Sequence, residues 1–299
     1  MTVQWTDLVD PTREELLRAL PGTVDEDVIT ALLEPPGDGR AARPGLTGHG
    51  TCVRAVLVHP RMTAEGRAAY LVLDVVASPS ALVTVRKSGP DGEVAPVDGV
   101  GARFDAGVAT GDVFQAAVDD SADAFLELVD GLYEAIDGLE GEVEHQSGAH
   151  VRRRIALLRS EILLARRTST ATRGVARRIV DGRIDVGRSE LFPPEIEVRF
   201  VDTYETLVRV TEELDVARDL LGGVRDYYQA KIAEQQNEVA KKLTVIASLV
   251  LVPSLIVGFY GQNFAGEFRE WYWGIGISVG LIVATTVVQL VLFRWRRWL

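Results

Sequence analysis

The sequence predicts an α+β chain in three parts: an N-terminal α/β domain, a stalk of long helices and a C-terminal two-helix transmembrane hairpin. Three observations predict it. Two uncharged apolar runs, Leu243 to Gly266 and Trp271 to Phe293, close the chain, each longer than the ~20 residues a helix needs to cross a bilayer. Before them, from about Asp112, apolar residues recur at helical steps. Earlier still, short apolar runs alternate with Gly- and Pro-rich turns. The resulting boundaries are 1–115 for the α/β domain, 116–242 for the stalk and 243–299 for the hairpin with the loop that joins its helices.

Asp10-Pro11-Thr12-Arg13-Glu14-Glu15-Leu16 predicts a helix start, with a capping residue, an early proline and acids in the first turn. Cys52 to His59, Tyr70 to Val76 and Ala81 to Arg86 predict strands. Pro60, Ser78-Pro79-Ser80 and the Ser88-Gly89-Pro90-Asp91-Gly92 cluster separate them. Pro35 to Gly50, rich in Gly, Pro and Arg, predicts a loop.

In the stalk, Ala122 to Glu144 keeps Phe125, Leu128, Leu132, Ile136 and Leu139 at steps of three and four, and Val151 to Ile179 repeats the pattern with Val151, Ile155, Leu158 and Ile162. A third helix begins after Pro193-Pro194, where Leu207, Leu214, Leu221 and Tyr228 recur every seven residues. No proline interrupts the chain from Glu195 until Pro253, so one helix about 90 Å long at 1.5 Å per residue would run into the membrane. Gly222-Gly223 is its weak point, as a packing notch or a flexing site.

Lys241 and Lys242 precede the first span, and Arg294, Arg296 and Arg297 follow the second. The positive-inside rule puts both termini in the cytoplasm. Trp271, Tyr272, Trp273, Trp295 and Trp298 fit interfacial aromatic belts. Met1 to Ala19 mixes Asp7, Asp10, Arg13, Glu14 and Glu15 with apolar residues, unlike a secretory leader. The expectation is therefore a two-span protein of the inner (plasma) membrane with everything before Lys242 cytoplasmic. A soluble core helix is the bland alternative for either run.

A net charge of −11 argues against nucleic acid as a partner. The single cysteine, Cys52, precludes an intrachain disulfide and a sulfur-rich metal site. No Gly-rich loop ends in Lys-Ser or Lys-Thr, and no Ser, Cys or His constellation points to catalysis. The chain does not read as an enzyme, and no organic cofactor is expected.

The stretch from Asn237-Glu238-Val239 through Leu243-Thr244 to Tyr260-Gly261-Gln262-Asn263-Phe264 resembles the CorA family of divalent-cation channels, whose corresponding helix ends in Tyr-Gly-Met-Asn-Phe. Phe200-Val201-Asp202-Thr203-Tyr204, Arg218-Asp219, Trp5-Thr6-Asp7-Leu8, Ala81 to Arg86 and the basic end with Trp298-Leu299 are similar to that family too. Gln262 stands where the family has Met, a GQN variant of its GMN motif. The wider two-transmembrane GxN superfamily tolerates variation there, and its zinc-transporting ZntB branch differs at the same position. The connector lacks the family's Met-Pro-Glu-Leu, leaving Glu267 or Glu270 as outer-mouth acids.

The resemblance implies a funnel-shaped homopentamer, an ion channel or transporter for divalent cations with Mg²⁺ first and Co²⁺ or Ni²⁺ beside it. Its partners would be its own copies, the lipid bilayer and the ions. Two helices alone cannot enclose an aqueous path, so several copies would each lend the first span. Reading back from Asn263 at helical steps gives Gly258, Ser254, Leu251, Ala247, Thr244 or Leu243, Ala240 and Asn237 as pore-lining residues, with Leu243 and Leu251 as hydrophobic constrictions. The same alternation arises where helices simply pack.

Mg²⁺ holds its water tightly, so a ring of Asn263 amides, within the motif Gly261, Gln262 and Asn263, would accept hydrogen bonds from a hydrated ion. Gln262 either adds to that ring or bonds loop backbone, and Gly261 would allow a sharp turn after the span. Asp202 falls where the family's long helix supplies a carboxylate to a regulatory intersubunit Mg²⁺ site; a solvated helix acid is the alternative. A ZntB-like Zn²⁺ transporter, or a non-conducting membrane-tethered scaffold or sensor, are the rival readings.

His145 and His150, five apart, would face different sides of a helix and are set aside as a zinc site. The acids Asp137, Glu140, Glu142 and Glu144 are expected to pair with Arg152, Arg153, Arg154, Arg166, Arg167, Arg177 and Arg178. Gly276 and Gly280 suit close helix contact or occur by chance.

Overall fold

The computed structural model describes residues 3–20, 24–35, 40, 42–49, 51–63, 66–89, 91–184, 191–263, 268–296 and 298. They fall into two compact units, Met1–Arg225 and Asp226–Leu299. The α+β architecture expected from the sequence is present in them.

Strands β1 (Gln4–Val9), β2 (Gly45–His49), β3 (Cys52–Met62), β4 (Ala68–Ala77) and β5 (Ala81–Lys87) form one sheet of order β1-β5-β4-β3-β2. β1 runs parallel to β5 and all other pairs are antiparallel. Helices α1 (Arg13–Ala19) and α2 (Glu26–Leu33) cover one face, packing Leu16, Ile29 and Leu32 on Val76, Val83 and Val85. The other face carries Leu57, Leu73, Val75 and Leu82. It packs against α4 (Thr110–His145), α5 (Gly148–Val180) and the start of α6 (Pro194–Asn263). Burial on both faces explains why β4 reads as a continuous apolar run rather than an alternating one.

Asp74, fully buried in the centre of β4, is held by Arg54 at 2.6 and 2.9 Å, and Lys87 Nζ lies 3.2 Å from its other oxygen, off the hydrogen-bond direction. A buried carboxylate persists only when paired in this way. Phe114, Phe192 and Phe200 stack edge-on or tilted around α4 and α6, with centroids 5.5 to 6.3 Å apart.

Two expectations about the sheet need correcting. Pro60 does not end a strand but sits inside β3 opposite Tyr70. β2 pairs only with Cys52 to Val56, so among the described residues β3 has a neighbour on one side at Pro60, where a missing N–H costs no ladder bond. The expected loop Pro35 to Gly50 contains β2, whose Gly and Thr content suits an edge strand and hides it from a hydrophobic pattern. Helix α1 starts as expected, with Thr12 accepting from the Glu15 amide and the Glu15 carboxylate answering the Thr12 N–H at 2.8 Å. The Ser88 to Gly92 cluster turns through Gly92 at φ 77°.

The long-helix pattern is realised. Phe125, Leu128, Leu132, Ile136 and Leu139 of α4 are buried, as are Val151, Leu158 and Ile162 of α5. On α6, Leu207, Val210, Leu214, Ala217, Leu221 and Val224 make a buried seam at alternating steps of three and four. Three polar ties fix that seam. Thr203 Oγ1 accepts from Gln115 Nε2 at 3.0 Å and donates to Asp119 at 2.7 Å. The Tyr133 hydroxyl meets Glu213, and Arg166 pairs with Asp215 at 3.1 Å. Gly111 has no room for a side chain, since a Cβ there would stand 2.1 Å from the Leu191 carbonyl oxygen.

Arg166, Arg177 and Arg178 are thus not partners of the α4 acids: they meet Asp215, Asp181 and the Leu46 carbonyl. His145 ends α4 and His150 begins α5, on two helices rather than one, and His150 pairs with Glu142 at 3.0 Å. At Gly222 and Gly223 helix α6 continues without interruption, and an added Cβ would meet nothing within 4 Å at either.

The second unit holds the rest of α6 and helix α7 (Phe268–Trp295). Both are long and apolar enough to cross a membrane, and their apolar side chains, among them Leu251, Leu255, Val283 and Val291, point outward.

Candidate functional site

The first span packs one narrow face inward. Val245 and Ile256 are buried, with Ser248, Leu249, Val252 and Pro253 half-buried between them. On α7 the matching face is Gly274, Ser278, Ile282, Thr285, Gln289 and Phe293, again at steps of three and four. Between the two, Gln289 Nε2 donates to the Ser248 carbonyl at 3.4 Å. Gly276 and Gly280 face away from this contact, and an added Cβ at either would meet nothing within 4 Å.

The stripe expected to line a pore lies on the other side of α6. Asn237, Ala240, Leu243, Thr244, Ala247, Leu251, Ser254 and Gly258 are all exposed in the single chain. At 100° per residue they centre roughly opposite the α7-packed face. Thr244 and Ser254 donate their hydroxyl protons to the carbonyls four residues back, Ala240 at 2.9 Å and Val250 at 2.7 Å. A hydroxyl spent in this way keeps its oxygen lone pairs, so it presents only an acceptor outward. Pro253 removes one backbone donor from the same stretch.

Gly261, Gln262 and Asn263 form the last residues of α6 rather than a turn after it. Gly261 itself is helical, and the turn it was expected to allow after the span falls on residues 264–267, outside the described residues. Phe264 to Glu267 lie outside the described residues, as do the side chains of residues 262, 263 and 268–272, and with them the side chains of Glu267 and Glu270.

Asp202 is exposed on α6 beside the buried Thr203. Among the described residues no group of three or more His, Cys, Asp or Glu side chains is placed to hold a metal ion. Reading the residues alone missed Gln289 and the Gln115–Thr203–Asp119 tie. A lone amide in an otherwise uncharged span was the available signal for the first.

Residues 2–297 match the family model described as CorA-like Mg2+ transporter protein. The cobalt/magnesium transport protein CorA of Thermotoga maritima is 32% identical over 113 residues, covering 36% of this chain and 32% of that one. A putative metal ion transporter of Bacillus subtilis, YfjQ, is 24% identical over 191 residues, 63% of this chain and 58% of the relative. The matched stretches thus span between a third and three-fifths of those relatives. Among solved structures, the CorA magnesium transporter of Methanocaldococcus jannaschii superposes with a TM-score of 0.79 at 17% identity, over 99% of this chain and 91% of that one, a likeness of fold. With two C-terminal apolar helices behind a mixed α/β part, this two-span membrane protein belongs to the CorA-like Mg2+ transporter family, a family of transporters and not of enzymes.

Proposed function

We propose that the chain is a CorA-type channel that carries hydrated Mg²⁺, with Co²⁺ or Ni²⁺ as companions, through a homopentamer in the inner membrane with both termini cytoplasmic. Residues 1–115 and 116–242 form its cytoplasmic domain and stalk, and 243–299 its membrane hairpin. The observation that carries the reading is the placement of the candidate stripe on α6: eight residues face away from α7, so a second wall must come from further copies.

Five such stripes around an axis would give a path of small and weakly polar positions, narrowed at Leu243 and Leu251. The back-bonded oxygens of Thr244 and Ser254 suit a cation that keeps its water, because they accept from that water without competing donors. At the outer end Asn263, with Gln262 and Gly261, would form the selectivity ring, and Glu267 and Glu270 would raise the local cation concentration. Asp202 would supply one carboxylate of a cytoplasmic Mg²⁺ site that favours the closed state when the ion is abundant.

Uptake of Mg²⁺ into proteoliposomes tests this. Asn263→Ala is expected to abolish flux while the oligomer still elutes intact; undiminished flux would remove the ring from the mechanism.

A further inference from the structure

Charge is segregated between two helices of the first unit. The short helix α3 (Asp98–Asp105) mixes both signs. Helix α4 carries acids along its length and no Lys or Arg, whereas α5 is rich in arginine and has Glu161 as its single acid. Glu161 is buried and held by Arg40 at 3.0 Å, so it neutralises nothing on the surface of α5. In a chain of net charge −11 a basic helix is not a matter of overall composition.

Each helix gathers charges on one outward stripe. On α4, Asp123, Glu127, Asp130, Glu134 and Asp137 follow at alternating steps of four and three, and all are exposed. On α5, Arg159, Arg166 and Arg173 stand seven apart, with the exposed Leu163 among them. Those steps keep each set on one helix face, and each set spans about 21 Å at 1.5 Å per residue. Among the described residues these five acids meet no Lys, Arg or His side chain, and Arg159 and Arg173 meet no carboxylate. Arg166 pairs with Asp215 of α6.

We propose that the arginine stripe of α5 docks the acid stripe of α4 on a second copy of this chain. The proposal rests on the homopentamer reading above and names the surfaces that join its neighbours. Either stripe laid on its own counterpart would set like charges together, so α5 has to meet α4. Joined once per neighbour, that contact is heterologous, the kind that closes into a ring. Gln146 and Ser147 turn α4 back into α5, and His150 meets Glu142 at 3.0 Å across the turn. Counting outward from the turn sets Glu134 level with Arg159 and Glu127 level with Arg166. Rotation about an axis that runs along the helices preserves level, so these residues become partners between copies. Exposed ion pairs each contribute little; their part here is to select which faces meet and to reject the others.

A carbodiimide, which joins a carboxylate to a lysine amine in contact with it, tests the pairing. Full-length Arg159→Lys protein in detergent should give covalent dimers and longer ladders on denaturing gels, several-fold above wild type. The bridged peptide should join residue 159 to Glu134. Adding Glu134→Gln, or 1 M NaCl in place of low salt, should cut the yield several-fold while the oligomer elutes unchanged. No ladder from an oligomer that still elutes intact, or bridges confined within one chain, would overturn the proposal and leave the channel reading standing. A ladder abolished by added phosphatidylglycerol without loss of the oligomer would also overturn it, by making α5 a lipid-facing ridge. A chain that elutes alone would overturn both.

Discussion

Gln289 of α7 gives its side-chain amide to the backbone carbonyl of Ser248 in α6, 3.4 Å away, while its own Oε1 is buried without a partner. The contact falls one turn before Pro253, where α6 loses a backbone donor. A half-satisfied amide between two apolar helices contributes little, since such bonds average about 0.6 kcal/mol in membrane proteins. Gln289→Leu should therefore leave thermal unfolding in detergent within about 1 kcal/mol of wild type, because it removes the orphan acceptor together with the donor. Gln289→Glu should destabilise by several-fold more, since it brings a carboxylate beside a carbonyl in an apolar contact.

Thr203→Val removes the hydroxyl that joins Gln115 to Asp119 and leaves the buried Gln115 amide without its acceptor. The expected loss is about 1–3 kcal/mol, read as an earlier chemical-denaturation midpoint of the full chain. Thr203→Ser keeps the oxygen and should recover most of it.

Gly111→Ala places a methyl where the Leu191 carbonyl oxygen already stands. Backbone has to shift, so the cost should reach or exceed the ~1–3 kcal/mol of ordinary overpacking. Gly138→Ala, on the same helix with open space around it, should instead be neutral or stabilising by up to about 1 kcal/mol. Parallel melting curves of the two variants check the contrast.

His59 of β3 is buried with neither ring nitrogen partnered, and burial pushes its value down to about 4. When opened, the ring binds a proton near 6.5; when folded, it resists. Stability should hold above pH 6.5 and decline as the pH falls from there toward 4. His59→Leu should flatten that decline in thermal unfolding measured between pH 7 and 5.

Leu251 is exposed on the α6 stripe. If that stripe is a wetted constriction, Leu251→Ser should raise Mg²⁺ flux several-fold by easing its hydration, with Leu255→Ser, about 40° further from the stripe's axis, changing flux less. Vesicle uptake of both variants, normalised to reconstituted protein, measures the difference.

Elements that bury a repeating face were legible from residues alone. The α4, α5 and α6 stripes predicted buried positions because helical spacing and burial obey the same period. Strands β3, β4 and β5 announced themselves by apolar runs. Strand β1 did not, since Asp7 spends its carboxylate on Thr84 and Arg86 across the sheet and interrupts the apolar alternation. Strand β2 is written Gly-Leu-Thr-Gly-His, and its pairing is a property of β3 more than of its own side chains. At the hairpin, the two spans were legible as uncharged apolar runs, but the helical state of Gly261 was not, because a glycine permits a turn without requiring one. The arginine pairings were illegible for a related reason: which acid a long side chain reaches depends on helix order in space.

Cys52, the chain's single sulfhydryl, is 1% exposed, sealed beneath α1 and α2. Maleimides have no route to it while that core is closed, so the natural sequence already serves as a silent background for site-directed labelling. One engineered thiol at Ser254 or Ala247 would then report, by its alkylation rate from either side of a vesicle, whether water reaches that level of α6.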